Sequence, residues 1–166
     1  MVRQAAQVPA SEGSHALRGH VLVIEARFYE SIADMLADGA IAELTARGVT
    51  FERIVVPGAL EIPQALASAA TAKAAGRMMF DGAIVLGCVI RGETAHYDIV
   101  CNNANHWTME TAMQHDVPVG NAILTVETEA QAIARAEGGR TGKGGDAARA
   151  CLSLIELKRG FWSRGA

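Results

Sequence analysis

Gly82-Ala83-Ile84-Val85-Leu86 has no polar side chain, and the stretch Asp98 to Met113 beyond it has helical length with no Pro or Gly. A short apolar run rich in branched residues reads as a strand buried on both faces, as at the centre of a parallel sheet. Such a strand needs helices on both sides, which dictates a layered α/β arrangement. Between strand and helix lies Gly87-Cys88-Val89-Ile90-Arg91-Gly92-Glu93-Thr94-Ala95-His96-Tyr97-Asp98. Arg91, Gly92, Glu93, Thr94 and His96 therefore fall at a strand's carboxyl end, where open α/β sheets bind their ligands. Gly92 permits close approach to the backbone, and the free amides of a helix start favour an anion. Thr94 adds a hydroxyl, and His96 a group that exchanges protons near neutrality. A plain strand-to-helix turn with a solvated Arg and His fits the same spacing, and spacing alone leaves both readings open.

The rest of the chain repeats the strand–helix alternation. His20-Val21-Leu22-Val23-Ile24-Glu25 reads as a first strand, with Ala26-Arg27-Phe28-Tyr29 as the loop after it. Ser31 with Asp34 suits a capping box, and Ala33, Leu36, Ala40 and Leu44 then recur at helical spacing up to Gly48. Thr50 to Val56 is a second strand, and Pro57-Gly58 suits the centre of a type II turn. Ile62, Leu66, Ala69 and Lys73 mark the next helix, with Pro63 in its first turn and Gly76 at its end. Val117 to Val126 is the fourth strand, in which Pro118 fits only near the start. Glu129 to Arg135 forms a short helix, Glu137 to Gly145 a Gly-rich basic loop, and Asp146 opens a last helix striped with Ala147, Cys151, Leu154 and Lys158. The expected architecture is α/β, with a four-stranded parallel sheet covered by helices on both faces. At 166 residues, 50% of them hydrophobic, the chain supports one full core. Residues 1–18 are expected to form a flexible arm, 19–160 the domain and 161–166 a tail. A strand donated by the arm would extend the sheet.

Several functional classes are excluded. A formal net charge of −3 leaves no nucleic-acid footprint. Cys88, Cys101 and Cys151 form no Cys-x-x-Cys pair, and the polar start from Met1 to Gly19 reads as neither a signal peptide nor a membrane span. Reduced thiols and a cytoplasmic location are therefore expected. Gly138-Gly139-Arg140-Thr141-Gly142-Lys143-Gly144 resembles a phosphate loop. However, it has three residues rather than four between Gly138 and Gly142, and Gly144 stands where Ser or Thr is required. A structural or assembly role fits it better, although its glycines would make the loop floppy and costly to order. His96 and His106 lie ten apart and do not share a helix face, so no metal site is expected. No Ser–His–Asp set has a nucleophile-elbow signature. Phe28 is either a core plug or a stacking platform. Glu61 is either a solvated residue near a helix start or an acceptor for a ligand's amine or hydroxyl. Phe28, Gly58 to Glu61, and Cys88 to His96 should meet at one sheet edge.

Ala26-Arg27-Phe28, Val56 to Pro63, Leu86 to Asp98, Pro118 to Thr125 and Glu129 to Asp146 together resemble the lumazine synthase family, over about Gly19 to Leu157. The pairing of GCVIRGETAHYD with VPGALEIP is highly specific. The resemblance implies a flavodoxin-like three-layer α/β/α subunit that assembles into pentamers, with a 60-subunit shell as the larger alternative and active sites between subunits. It also implies the condensation of 5-amino-6-(D-ribitylamino)uracil with 3,4-dihydroxy-2-butanone 4-phosphate. The products are 6,7-dimethyl-8-ribityllumazine, phosphate and water, on the route to riboflavin, and no metal or redox cofactor takes part. Riboflavin synthase is a candidate partner.

By position, the resemblance assigns Phe28 to stacking on the pyrimidine and Ala59, Leu60 and Glu61 to the ribityl chain. Cys88, Val89 and Ile90 lie along the pyrimidine, Glu93 and Thr94 hold the butanone phosphate, and His96 transfers protons. Asn121, near the pyrimidine, and Arg135, on the phosphate, come from the adjacent subunit, and Lys143 and Asp146 border the site. Three positions depart from the common pattern: Asn121 where an aromatic is frequent, Cys88 for Thr, and Glu93 for a small residue. Glu93 is expected to face away from the phosphate it would repel. A flavin-binding carrier on the same fold and a purely structural shell protein are the rival readings. Phe28, His96 and Arg135 together speak against the second.

Overall fold

The computed structural model of the chain describes residues 17–165. The elements run β1 (His20–Ala26), α1 (Glu30–Ala46), β2 (Thr50–Val56), α2 (Ile62–Ala74), β3 (Gly82–Ile90), α3 (His96–Gln114), β4 (Val119–Val126), α4 (Glu129–Ala136) and α5 (Lys143–Trp162). Short 3₁₀ turns at Ala59–Glu61, Gly139–Thr141 and Ser163–Gly165 complete them. The four strands form one all-parallel sheet in the order β2-β1-β3-β4. The arm, and the strand expected from it, lie outside the described residues except for Leu17 and Arg18. Leu17 donates its N–H to the Arg47 carbonyl at 3.2 Å. Among the described residues no helix is long and apolar enough to cross a membrane.

The central pair β1 and β3 is buried because both its faces are covered, as the apolar run in β3 requires. On one face Val21, Val23, Ile84 and Leu86 pack with Leu36, Ala40 and Leu44 of α1 and Ala148, Cys151 and Leu152 of α5. Ala132 and Ala136 of α4 join this layer. On the other face Leu22, Ile24, Ala83 and Val85 meet Ile62 and Leu66 of α2 and Ala104 and Ala112 of α3. Alternate residues of one strand thus serve two cores. The chain leaves β1 for β2 on one side and returns to β3 on the other, so the carboxyl ends of β1 and β3 diverge into a crevice.

Several local expectations need correction. No side-chain cap forms at Ser31: α1 starts earlier, at Glu30, and the Asp34 carboxylate accepts from Arg27 Nη2 at 2.5 Å instead. Pro57-Gly58 does not form a type II turn. Gly58 is extended (φ −151°) and leads into the Ala59–Glu61 turn, whereas a type II turn needs positive φ there. β3 runs four residues past Leu86, because it pairs with β4 through Ile90↔Val126. β4 itself begins at Val119, after Pro118.

The Gly-rich segment is packed rather than floppy. α5 starts at Lys143, three residues before Asp146, and Gly144 and Gly145 are buried in its first turn. A Cβ on Gly144 would sit 1.9 Å from the Leu36 carbonyl oxygen, and one on Gly145 would sit 2.0 Å from that of Arg140. Glycine here lets α5 approach α1 and the preceding turn closely. Buried Glu43 fastens the same region, accepting from Arg140 Nε at 2.8 Å and Arg149 Nη1 at 3.2 Å.

Candidate active site

A cleft of about 430 Å³ opens at the carboxyl ends of β1, β2 and β3. The three segments expected to meet do meet there. Phe28 and Tyr29 come from the β1–α1 loop, Pro57 to Glu61 from the β2–α2 connection, and Cys88, Val89, Ile90, Gly92, Thr94, His96, Tyr97 and Val100 from the end of β3 and the start of α3.

Phe28 is 73% exposed, which removes the core-plug reading. Its ring stands edge-on to Tyr29, centroids 5.0 Å apart. The loop beneath it is held by Glu25, a fully buried carboxylate. Glu25 accepts from Arg53 Nε at 2.5 Å and Nη2 at 2.9 Å, and from Arg27 Nη1 at 3.1 Å. A buried carboxylate needs this degree of pairing, and Arg27 and Arg53 are both held more firmly protonated, by Asp34 and Glu25 first of all. This cluster was missed in the sequence, where Glu25 reads as the polar end of a strand. Two arginines placed to reach it, one on the neighbouring strand, were the available signal.

On the opposite wall, α3 begins at His96 rather than Asp98, so His96 is its first helical residue. Thr94 Oγ1 accepts from the His96 N–H at 3.3 Å, which starts the helix early. Gly92 has negative φ, and a Cβ there would meet nothing within 4 Å. Its bareness serves no contact inside the chain and leaves the backbone open to the cleft. Glu93 is exposed and does not line the cleft.

The half-buried Cys88 thiol has its pKa pushed up to about 11, by burial first and by the neighbouring Cys101 second. It is a neutral wall of the cleft and not a thiolate nucleophile. Tyr29 and Tyr97 also have raised pKa values, chiefly from burial, so both phenols stay protonated. Tyr29, Tyr97 and Val100 are lining residues that the sequence reading did not single out. Their positions just beside Phe28 and His96, and one helical turn on, were the only hint.

Four residues that the resemblance assigns to the site lie elsewhere on this subunit. Asn121 pairs in register with Val85, three residues before Cys88, which puts it about 10 Å back from the cleft along the edge strand β4. Its amide donates to Asn105 Oδ1 at 2.9 Å and accepts from the Ile123 N–H at 2.8 Å. Arg135 is exposed near the end of α4, donating to the Gln131 carbonyl at 3.0 Å. Lys143 and Asp146 pair with each other at 3.1 Å in the first turn of α5, and Asp146 also accepts from Arg149 at 2.6 Å. Among the described residues no group of three or more His, Cys, Asp or Glu side chains could hold a metal ion.

A cleft with an exposed aromatic platform on one side and an imidazole above a helix start on the other can hold a planar ring and an anionic group side by side. Comparison with known proteins points the same way. The family model for 6,7-dimethyl-8-ribityllumazine synthase matches residues 18–159. A synthase of that name from Nitrobacter hamburgensis is 44% identical over 155 residues, covering 93% of this chain and 95% of its own. One from Azorhizobium caulinodans is 49% identical over 150 residues, 90% and 93% of the two chains. One from Rhizobium meliloti, 6,7-dimethyl-8-ribityllumazine synthase 1, is 49% identical over 140 residues, 84% and 92%. With matches of this depth over nearly its whole length, the chain belongs to the 6,7-dimethyl-8-ribityllumazine synthase family.

Proposed function

We propose that the cleft between Phe28 and His96 is where this chain carries out its family's reaction. That reaction is the transfer of a four-carbon unit from 3,4-dihydroxy-2-butanone 4-phosphate to 5-amino-6-(D-ribitylamino)uracil. The observation that carries this reading is the meeting of Phe28, Ala59, Leu60, Glu61, Cys88, Val89, Ile90, Thr94 and His96 around one cleft at the sheet's switch point. The pyrimidine lies on Phe28 along the end of β3, and its ribityl chain runs over Ala59-Leu60 with Glu61 accepting from its hydroxyls. The phosphorylated ketone takes the loop from Gly92 to His96, where first-turn amides of α3 face the phosphate.

The primary amine then condenses with the ketone, phosphate leaves and the second ring closes. Each step moves a proton, which suits one imidazole, His96, placed beside both substrates. The neutral Cys88 and Tyr97 exclude water and add no competing nucleophile. Holding the two reactants together is the larger contribution, because an amine and a ketone condense unaided once oriented.

Asn121 and Arg135 do not line the cleft of their own subunit, so we assign them to that of a neighbour. Arg135 neutralises the departing phosphate there through a charge-assisted hydrogen bond, and Lys143 and Asp146 border it. The active form is then a homo-oligomer with shared sites. The pentamer is the unit, a 60-subunit shell its larger form, the cytoplasm its location and riboflavin synthase its functional partner. The direct test is to mix the two substrates with the pure protein and follow lumazine absorbance and phosphate release. Equal formation of both is expected, and no product above the uncatalysed rate would refute the reading.

A further inference from the structure

We propose that Arg91 is a positioning residue for this reaction. It locks the Gly92–His96 loop in the shape that receives the phosphorylated substrate and holds Tyr97 as the wall of the cleft. The proposal rests on the reading of the cleft given above. Read from sequence, Arg91 is either part of a ligand site at the strand's carboxyl end or a solvated residue in a turn. In the structure its guanidinium meets three side chains. Its Nε donates to both oxygens of Glu127, in the β4–α4 connection, at 2.8 and 3.1 Å. Its Nη1 lies 3.6 Å from Asp98 in the first turn of α3. Its Cζ lies over the Tyr97 ring, 4.1 Å from the centroid. Its own backbone N–H donates to the Val126 carbonyl at 2.9 Å, the last tie of β3 to β4.

The loop beyond it has little else to define it. Residues 92–95 are exposed, and a Cβ added at Gly92 would meet nothing within 4 Å. Within the loop the side-chain bond found is that from the His96 N–H to Thr94, at 3.3 Å. The shape of the phosphate-facing backbone is therefore set from its ends, and Arg91 grips both. It anchors the β3 end to Glu127 and stacks on Tyr97 at the α3 end. Only a planar guanidinium does this, because one face covers the ring while the edge donates to the carboxylate. A lysine supplies the same charge without the plane.

That difference gives the test. If Arg91 acted only by its charge on a nearby phosphate, Arg91→Lys would behave like the parent. Positioning predicts that Arg91→Lys raises KM for the phosphorylated substrate about tenfold, the scale of one charge-assisted contact. Affinity for the pyrimidine, measured by fluorescence titration, should change less than about twofold, because Phe28 lies on the other wall. Hydrogen exchange of amides 92–97 should accelerate while that of β1 and β3 stays put. Tyr97→Ala should give the same phenotype, and the double variant should be no worse than either single one. Glu127→Gln, which leaves Arg91 and its charge in place, should show a weaker form of it. Parental KM and exchange in Arg91→Lys would overturn the proposal, as would equal loss of both substrates. A parent protein without turnover would remove the reading of the cleft, and loop exchange alone would then decide whether Arg91 is the clamp.

Discussion

Gly92 and His96 show how much a single position does at the rim of the cleft. The Gly92 position has room for a methyl group inside the chain and needs no positive φ. Gly92→Ala should therefore leave thermal stability within about 0.5 kcal/mol, the usual range for a surface change. It should nevertheless weaken the phosphorylated substrate several-fold, since the added methyl lies where the backbone meets it. Paired melting and KM measurements check this. His96→Asn keeps a polar group of similar reach but cannot take a proton. The single-turnover rate should fall by about a hundredfold or less, the low end of acid–base catalysis, and the rate should depend less on pH. An unchanged rate and profile would leave His96 as a helix-start residue only. Cys88 was legible as a lining residue but not as an inert one, because its raised pKa comes from burial that only folding creates. Two units above an ordinary thiol mean roughly a hundredfold less thiolate at pH 8. Alkylation of Cys88 in the native protein should be slower than in the unfolded chain, by about tenfold from ionisation alone, because a more basic thiolate is also more nucleophilic.

Among the elements, α5 departs most from its sequence reading. Five glycines between Gly138 and Gly145 suggest a floppy loop when only local propensity is weighed. Gly144 and Gly145 instead sit where backbone meets backbone, against Leu36 and Arg140. Gly138 and Gly139 take positive φ (95° and 57°) to turn the chain after α4. Gly144 packs against a neighbour more than a hundred residues away, and no local pattern reveals that. Gly144→Ala should cost several kcal/mol by overpacking against fixed backbone. Gly160→Ala, in the same helix with nothing within 4 Å, should stabilise by up to about 1 kcal/mol. Denaturant unfolding of the pair separates close approach from helix propensity.

The whole molecule places Phe28 and His96 in one cleft but Asn121 and Arg135 on outer surfaces. Shared sites make a distinctive expectation. His96→Asn and Arg135→Ala oligomers, each impaired, should regain part of the parental rate after subunits are mixed and reassembled, because some sites then carry both native residues. Absence of complementation would argue that each subunit works alone. Arg135→Ala by itself should raise KM for the phosphorylated substrate about ten- to a hundredfold and spare the pyrimidine. The packed core has its own pH signature. Burial pushes the Cys151 thiol from 9.0 up to about 12. The folded state thus keeps a proton that the unfolded chain releases above pH 9, so this contribution is complete below that pH and is lost as pH rises. Between pH 8 and 10 it should lower stability by about 1.4 kcal/mol. Cys151→Ala should lessen that alkaline slope, as read by denaturant midpoints.

What the sequence determined by itself was the order of elements and the end of the sheet that holds the site. Apolar periodicity and turn residues act over a few neighbours, so β1 to β4 and the helices between them could be read directly. The motif around Gly87 to Asp98 also placed His96 and Thr94 at a strand's carboxyl end. Only the tertiary structure decided that Phe28 faces the cleft, that Glu25 and Glu43 are buried acceptors for paired arginines, and that Arg91 stacks on Tyr97. Each of these depends on residues far apart in the chain being brought within a few ångströms, and burial, charge pairing and close backbone approach acquire their energies only at that distance.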